Sequence, residues 1–447
     1  MKRIFLFIAV LLLMIGCKKT SYVAKFDKLP QERVAEQLSL VSNALSSSPN
    51  GWVATLPTQA GGGYGFYMSF DKELNVSMYG DMTATSSSVM GNSYYRIKQD
   101  MGTELVFDTY NYISILNDPN ATLGGAAKIG YSSDVEFTFD KINGDTMIFI
   151  GKKFRQPFKM VKATAAQKTS YLAGDYKTAI DKFNNFFATT KNPYIEIASG
   201  STTLKAGISV NSTNNLASGK RVGLTGLQAN GTSTLTGNAK YAYTLNGADL
   251  LGAGLTYGGV TFVRIEWKGT SLSFYDSTGK EYAIKSNPTP LTPLAALFGF
   301  PTTFVYKKIS IGATLPTGVT SQFNAVFQAM ATRLAGLNPV RRIVGVSFTL
   351  TSNTLATVNI SPNNGTSTFS ANATFNYTIT NGVITLTNPS YDGNWTARGV
   401  EYDGIRDFFL SGPFKLDWVI SSDPLNTSTI GGLYRVADPT SFFYGTL

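Results

Sequence analysis

Val34, Leu38, Val41 and Leu45 recur at i, i+4, i+7 and i+11, which lines one face of a helix predicted over 31–47. Pro49-Asn50-Gly51 stops it. The same period returns twice. Tyr171, Ile180, Phe183 and Phe187 share a face in a helix predicted over 165–190, and Phe323, Phe327, Met330 and Leu334 do so over 320–336, where Gly336 and Pro339 end the run. Each stripe suits a helix that packs on a core. Between these windows the period falls to two. Segments 65–70, 135–139, 146–150, 260–267, 272–275 and 343–350 alternate apolar and polar residues or run apolar, as strands do.

Asn-Gly pairs separate several of these strands and predict type I′ hairpins. Three of them share a pattern. Phe137 and Phe139 precede Asn143-Gly144, Phe375 and Tyr377 precede Asn381-Gly382, and Tyr241 and Tyr243 precede Asn246-Gly247 one residue sooner. Trp267 and Trp418 then fall at matched positions in the second and third copies. With a helix ahead of each copy, the chain reads as a mostly β protein of α+β class. Antiparallel β-meanders and about three packing helices are expected, as three helix-plus-β modules over 29–164, 165–318 and 319–447.

The first residues carry a different signal. Lys2 and Arg3 precede an apolar run from Ile4 to Ile15 and then Gly16-Cys17. That layout is a secretory signal peptide over 1–16, too short to span a bilayer, which takes about 20 apolar residues. Met14-Ile15-Gly16-Cys17 resembles a bacterial lipobox. The resemblance implies cleavage before Cys17, a lipid anchor on Cys17 and a tether over 17–28.

Composition narrows the chemistry. The chain has no histidine, and its single cysteine is Cys17. Ser-His-Asp and Cys-His catalysis, zinc sites of His or Cys and intrachain disulfides are therefore excluded. No cofactor and no metal are expected; any metal would be a hard cation held by oxygen. The net charge of +10 is concentrated in residues 171–340 and reads as scattered solvated lysines. Nucleic acid does not suit an exported address.

The first module holds the most distinctive residues: Arg33, Pro49-Asn50-Gly51-Trp52, Gly61-Gly62-Gly63-Tyr64-Gly65, Met68-Ser69-Phe70, Phe107-Asp108-Thr109-Tyr110-Asn111, Asp118-Pro119, Ser133-Asp134-Val135-Glu136-Phe137 and Gly151-Lys152-Lys153. Behind a lipobox, this set resembles a family of Bacteroidota outer-membrane lipoproteins of unknown function, over about 29–170. Its members are similar to accessory proteins beside SusC/SusD-type, TonB-dependent uptake systems. The resemblance implies an outer-membrane role, periplasmic-facing or surface-exposed, with a TonB-dependent transporter complex as partner. It brings no catalytic residues. Lys18-Lys19 stands where surface-exported lipoproteins of that phylum carry acids, which leaves orientation open.

Other constellations have bland readings. Asp134, Glu136 and Asp140 would share one strand face, solvated rather than Ca²⁺-binding, because no calcium-loop spacing is present. Asp108 is read as capping neighbouring backbone. Lys152, Lys153, Arg155, Lys159, Lys162 and Lys168 would form the basic outer face of a half-buried strand. Glu401, Asp403, Asp407 and Asp392 are the densest acids, the best place for a glycosidase pair, with Arg398 and Arg406 suggesting ion pairs instead. Tyr391, Asp392, Asn394 and Trp395 form a turn-rich loop that offers a ring platform and directed hydrogen bonds, and are the candidate ligand-binding residues.

The reading favours a non-catalytic, lipid-anchored envelope protein, a binding or scaffold accessory for glycan or peptide uptake. A carboxylate-dependent polysaccharide-active enzyme and a structural or adhesive lipoprotein are the alternatives. Acyl chains add about 0.8 kcal/mol of membrane binding per buried CH₂. Cys17→Ala is therefore expected to abolish acylation and release the protein from membranes or leave a precursor, read by fractionation and intact mass. Unchanged attachment and mass would refute the anchor.

Overall fold

The computed structural model describes residues 28–227, 234–301 and 303–447. The segment expected to be a signal peptide and Cys17 lie outside the described residues. The chain forms two compact units, Met1–Asp175 and Tyr176–Leu447.

The first unit begins with α1 (Pro30–Ser46), whose Val41 and Leu45 are buried. Eight strands follow: β1 (Trp52–Pro57), β2 (Gly63–Phe70), β3 (Asn75–Gly80), β4 (Gly91–Gln99), β5 (Thr103–Phe107), β6 (Glu136–Asn143), β7 (Thr146–Gly151) and β8 (Pro157–Lys162). Each pairs with its sequence neighbour, and β8 returns to β1 through Trp52↔Lys162 to close a barrel. Two short helices, α2 (Ala84–Ser88) and α3 (Tyr112–Ile115), decorate it, and α4 (Ala165–Ala173) follows it. Phe137, Phe149 and Phe158 fill the barrel with ring contacts. Trp52 is buried and donates its Nε1–H to the Leu45 carbonyl at 3.1 Å, which ties α1 to the first strand.

The second unit holds two sheets. Helix α5 (Asp175–Thr189) leads into β9 (Pro193–Ser199), β10 (Thr202–Asn211), β11 (Arg221–Leu227), β12 (Thr234–Thr244), β13 (Gly247–Leu250), β14 (Leu255–Tyr257), β15 (Val260–Lys268), β16 (Ser271–Asp276), β17 (Glu281–Ala283) and β18 (Lys285–Ser286). β17 pairs with β16 and β18 pairs with β9, so the two edges of this sheet are consecutive pieces of chain around Ile284. Phe183 of α5 packs on the rings of Tyr241 and Tyr243.

The C-terminal sheet is a second closed barrel: β19 (Lys308–Ile311), β20 (Arg342–Leu350), β21 (Leu355–Asn363), β22 (Ala371–Thr380), β23 (Val383–Tyr391), β24 (Phe414–Val419), β25 (Ile430–Arg435) and β26 (Asp438–Thr446). The helices α6 (Leu294–Leu297), α7 (Phe323–Ala335), α8 (Gly393–Thr396) and α9 (Gly399–Leu410) send Leu294, Phe323, Phe327, Trp395, Tyr402, Ile405 and Phe409 into its core. Strands β23 and β24 pair at only two positions, Val383↔Lys415 and Ile384↔Phe414, and α9 lies against β23.

The mostly β, antiparallel expectation holds, with corrections. The described residues contain nine α-helices, not about three. The helix expected over 165–190 is two, because Gly174 takes a left-handed φ of 87° and caps the first. α9 was read for its acids, yet Tyr402, Ile405, Phe408 and Phe409 give it a buried face. The boundary expected at 318/319 cuts the second barrel, whose first strand is Lys308–Ile311.

All three Asn-Gly pairs lie at hairpins, but only Asn381 (φ 52°) and Gly382 (φ 76°) occupy both turn positions as type I′ requires. At the others, Asn143 pairs with Thr146 and Gly247 with Thr244, so the loop is shifted by one residue. The β12-β13-β15 and β22-β23-β24 neighbourhoods match, each ending on its tryptophan strand, whereas β6-β7-β8 carries no tryptophan.

One charged knot stands out in the first barrel. Glu104 is 0% exposed. Its carboxylate meets Lys152 Nζ at 3.1 Å and Lys98 Nζ at 3.4 Å. Lys152 also holds Asp100 at 2.7 Å and Glu136 at 3.1 Å. Hydrogen bonds from Lys152 hold the Asp100 and Glu136 carboxyls below their ordinary 3.8 and 4.5. The same partners, Asp100 first, raise the ammonium above its ordinary 10.5. The carboxylate contribution to stability is complete above those ordinary values and is lost as pH falls through the lowered ones. The lysine contribution is complete below 10.5 and is lost as pH rises through the raised value. Lys152→Met is therefore expected to shrink the fall in unfolding temperature between about pH 6 and about pH 3, measured on the soluble chain from residue 21. An equal fall in both proteins would place the acid sensitivity elsewhere.

Candidate functional site

The two-residue ladder between β23 and β24 sits at the head of a groove. Thr289, Val383, Lys415, Asp417, Trp418, Ile420, Tyr434, Arg435, Val436 and Pro439 line a hollow of about 610 Å³. Two other hollows of the second unit measure about 140 and 220 Å³. Of these three hollows, the groove alone reaches the ~300–1,000 Å³ typical of small-molecule sites.

Strand alternation builds it. Phe414, Leu416 and Trp418 of β24 turn toward the barrel core, which leaves Lys415 and Asp417 on the outer face. Across the ladder, Lys415 stands opposite Tyr434, and Asp417 opposite Gly432. A Cβ on Gly432 would come within 2.6 Å of Val419 and 3.0 Å of the Tyr434 ring, so this position stays bare.

The aromatic residues are fixed. Trp418 is 8% exposed and donates its Nε1–H to the Thr292 carbonyl at 2.8 Å. Tyr434 stacks on Phe442 at 4.3 Å and donates its hydroxyl to the Trp418 carbonyl at 3.1 Å. Burial first, and then the Asp417 carboxylate, push the Tyr434 phenol up to about 12. It is a neutral donor at any physiological pH.

Lys415 and Asp417 form an exposed ion pair at 2.6 Å, and Asp417 also accepts the Trp418 N–H at 2.9 Å. An ion pair beside an aromatic wall offers donor and acceptor atoms within a few ångströms, which suits vicinal hydroxyls. These residues come from four separated segments, and no short motif joins them. Trp418, one of the two matched tryptophans, belongs to the barrel core behind the groove.

The loop chosen from sequence does something else. Trp395 is 3% exposed, packed between the rings of Tyr391 at 5.6 Å and Tyr402 at 5.3 Å. It is a core residue, not a sugar platform. Asp392 caps α8, accepting the Trp395 N–H at 2.8 Å, and its other oxygen accepts from the Asn372 backbone at 3.0 Å and side chain at 2.8 Å. Asn394 Nδ2 donates to the Ser370 carbonyl at 2.9 Å, and Tyr391 is half-buried. The polar turn residues are helix-start chemistry that pins α8 to β22.

Two of the three acids of α9, Asp403 and Asp407, are also occupied. Arg406 bridges Asp403 at 2.6 Å and Asp407 at 2.9 Å. In the first barrel, Asp134 lies outside β6 and accepts the N–H groups of Lys153 at 2.8 Å and Phe154 at 3.0 Å, so the three acids do not share a strand face. Asp108 pairs with Arg96 at 2.9 Å rather than capping backbone. The lysine run is largely engaged: besides Lys152, Lys162 pairs with Asp145 at 3.2 Å and Lys168 donates to the Pro49 carbonyl at 2.8 Å. Trp267 is half-buried under α5, edge-on to Phe186 at 5.6 Å, with the Lys182 ammonium 3.8 Å from its ring centre.

Trp395→Ala removes a buried indole and is expected to cost about 3–5 kcal/mol of stability. Chemical unfolding reads this directly; a loss under about 1 kcal/mol would contradict the core assignment.

No curated protein matches the chain. The model of a domain of unknown function, DUF4302, matches residues 24–269, further than the motifs of the first module reach. The matched stretch takes in the first barrel and the middle sheet through β15, and the groove lies beyond it. The match spans more than half of the chain, which thus belongs to the DUF4302 family, a domain of unknown function.

Proposed function

We propose that this protein is a non-catalytic, lipid-anchored binding protein of the cell envelope that holds a glycan in the groove of its C-terminal barrel. It would serve an outer-membrane nutrient uptake system, with a TonB-dependent transporter complex as partner. The lipobox at Cys17 supports the address. The groove itself carries the reading: a 610 Å³ hollow with the Tyr434 ring on its outer face, edged by the Lys415–Asp417 pair. Ring faces cover the apolar side of a sugar, and a donor beside an acceptor serves its hydroxyls.

Lys415 and Asp417 are the residues to change, because both are exposed and their pair adds little to folding, about 0–1 kcal/mol. Asp417→Asn and Lys415→Met are each expected to weaken oligosaccharide binding by about 1.5–3 kcal/mol, the range of hydrogen bonds to charged groups. Their unfolding midpoints should stay near that of the parent chain. A glycan array probed with the soluble form from residue 21, followed by calorimetry on the hits, measures both. Binding that neither substitution alters would remove the groove from this role.

A further inference from the structure

The charges of the groove do not cancel. Lys415 and Asp417 neutralise one another at 2.6 Å. Arg435, at the end of β25, lines the same hollow. Among the described residues its guanidinium has no ion pair and no side-chain hydrogen bond, and its Nε–H is buried without an acceptor. The neighbouring acids are committed. Asp417 holds Lys415 and the Trp418 N–H. Asp438, the cross-strand neighbour of Arg435, accepts from the Thr440 hydroxyl at 2.6 Å and N–H at 3.1 Å. Asp438 and Arg435 feel one another electrostatically but make no ion pair. A buried Nε–H left without an acceptor is costly to the folded chain on its own account.

We infer that Arg435 is the anion-recognising residue of the groove and that the ligand is an acidic saccharide, one bearing a carboxylate, rather than a neutral one. This rests on the glycan-binding reading above and deepens it. A carboxylate matches the planar fork of a guanidinium with two parallel hydrogen bonds, and low surrounding polarity strengthens them. Tyr434 covers the ring that carries the acid, and the Lys415–Asp417 pair meets hydroxyls further along. The net charge of these groove side chains is one positive, so one carboxylate is the natural complement. The two arms act on different parts of the ligand. Arg435 sets the preference between acid and neutral sugar, and the Tyr434 ring with the ion pair sets binding as such.

The test uses the soluble mature chain, titrated by calorimetry with tetragalacturonate and with its methyl-esterified counterpart, which keeps the shape and removes the charge. The free acid is expected to bind at least about tenfold tighter than the ester, with the gap narrowing as salt rises. Arg435→Gln should erase the gap while leaving the weaker, ester-like binding in place. Arg435→Lys, which keeps the charge and loses the fork, should keep only part of it. Equal binding of acid and ester by the parent chain overturns the assignment and leaves the glycan reading standing. Binding of neither overturns both, as does tight binding of an acidic peptide that competes with no saccharide. A preference that survives Arg435→Gln overturns the role of Arg435.

Discussion

Backbone closure governs this molecule. A strand left at the edge of a sheet exposes unpaired N–H and C=O groups, and a chain with one cysteine has no intrachain disulfide to hold that edge down. Here the two barrels return on themselves through β1/β8 and β19/β26, and the middle sheet brings both its ends onto one stretch of chain around Ile284. The aromatic cores follow from this. A ring of eight strands encloses just enough space for side chains to fill, and phenylalanine and tyrosine fill it.

Legibility in the sequence followed period and locality. Helices α1 and α7 were evident because four apolar residues in each stand at helical spacing and a breaker follows. Hairpins were evident from Asn-Gly, although the pair marks a turn more reliably than its type. Asn143 remains in its strand, and Gly247 begins the next one. The short helices α2, α3, α6 and α8 span four or five residues, too few for a period to register. Ring closure was not legible at all, since it depends on pairing between residues as far apart as Trp52 and Lys162.

The candidate site shows the same limit from the other side. Composition drew attention to the loop of Tyr391, Asp392, Asn394 and Trp395, because aromatic and Asx residues together look like ligand chemistry. Those residue types are also what a short buried helix needs at its start, and the cap geometry at Asp392 decides the matter. The groove residues Val383, Lys415, Tyr434 and Arg435 carry no local signal. They become neighbours only because strand pairing puts Lys415 beside both Val383 and Tyr434.

The two-pair ladder between β23 and β24 gives the second barrel an uneven seam. Most neighbouring strands in that ring share six or more residue pairs; the join here is Val383↔Lys415 and Ile384↔Phe414, and β19 meets β26 at the single pair Ser310↔Thr446. Local opening is easier where few bonds must break. Val383 and Lys415 are also walls of the groove. A molecule resting there touches both sides of the seam and acts as a clasp. Whatever binds the closed ring better than the open one stiffens it by the same free energy. Occupancy and rigidity thus become two readings of one equilibrium, and a partner able to sense how firmly the ring is shut would sense whether the groove is full.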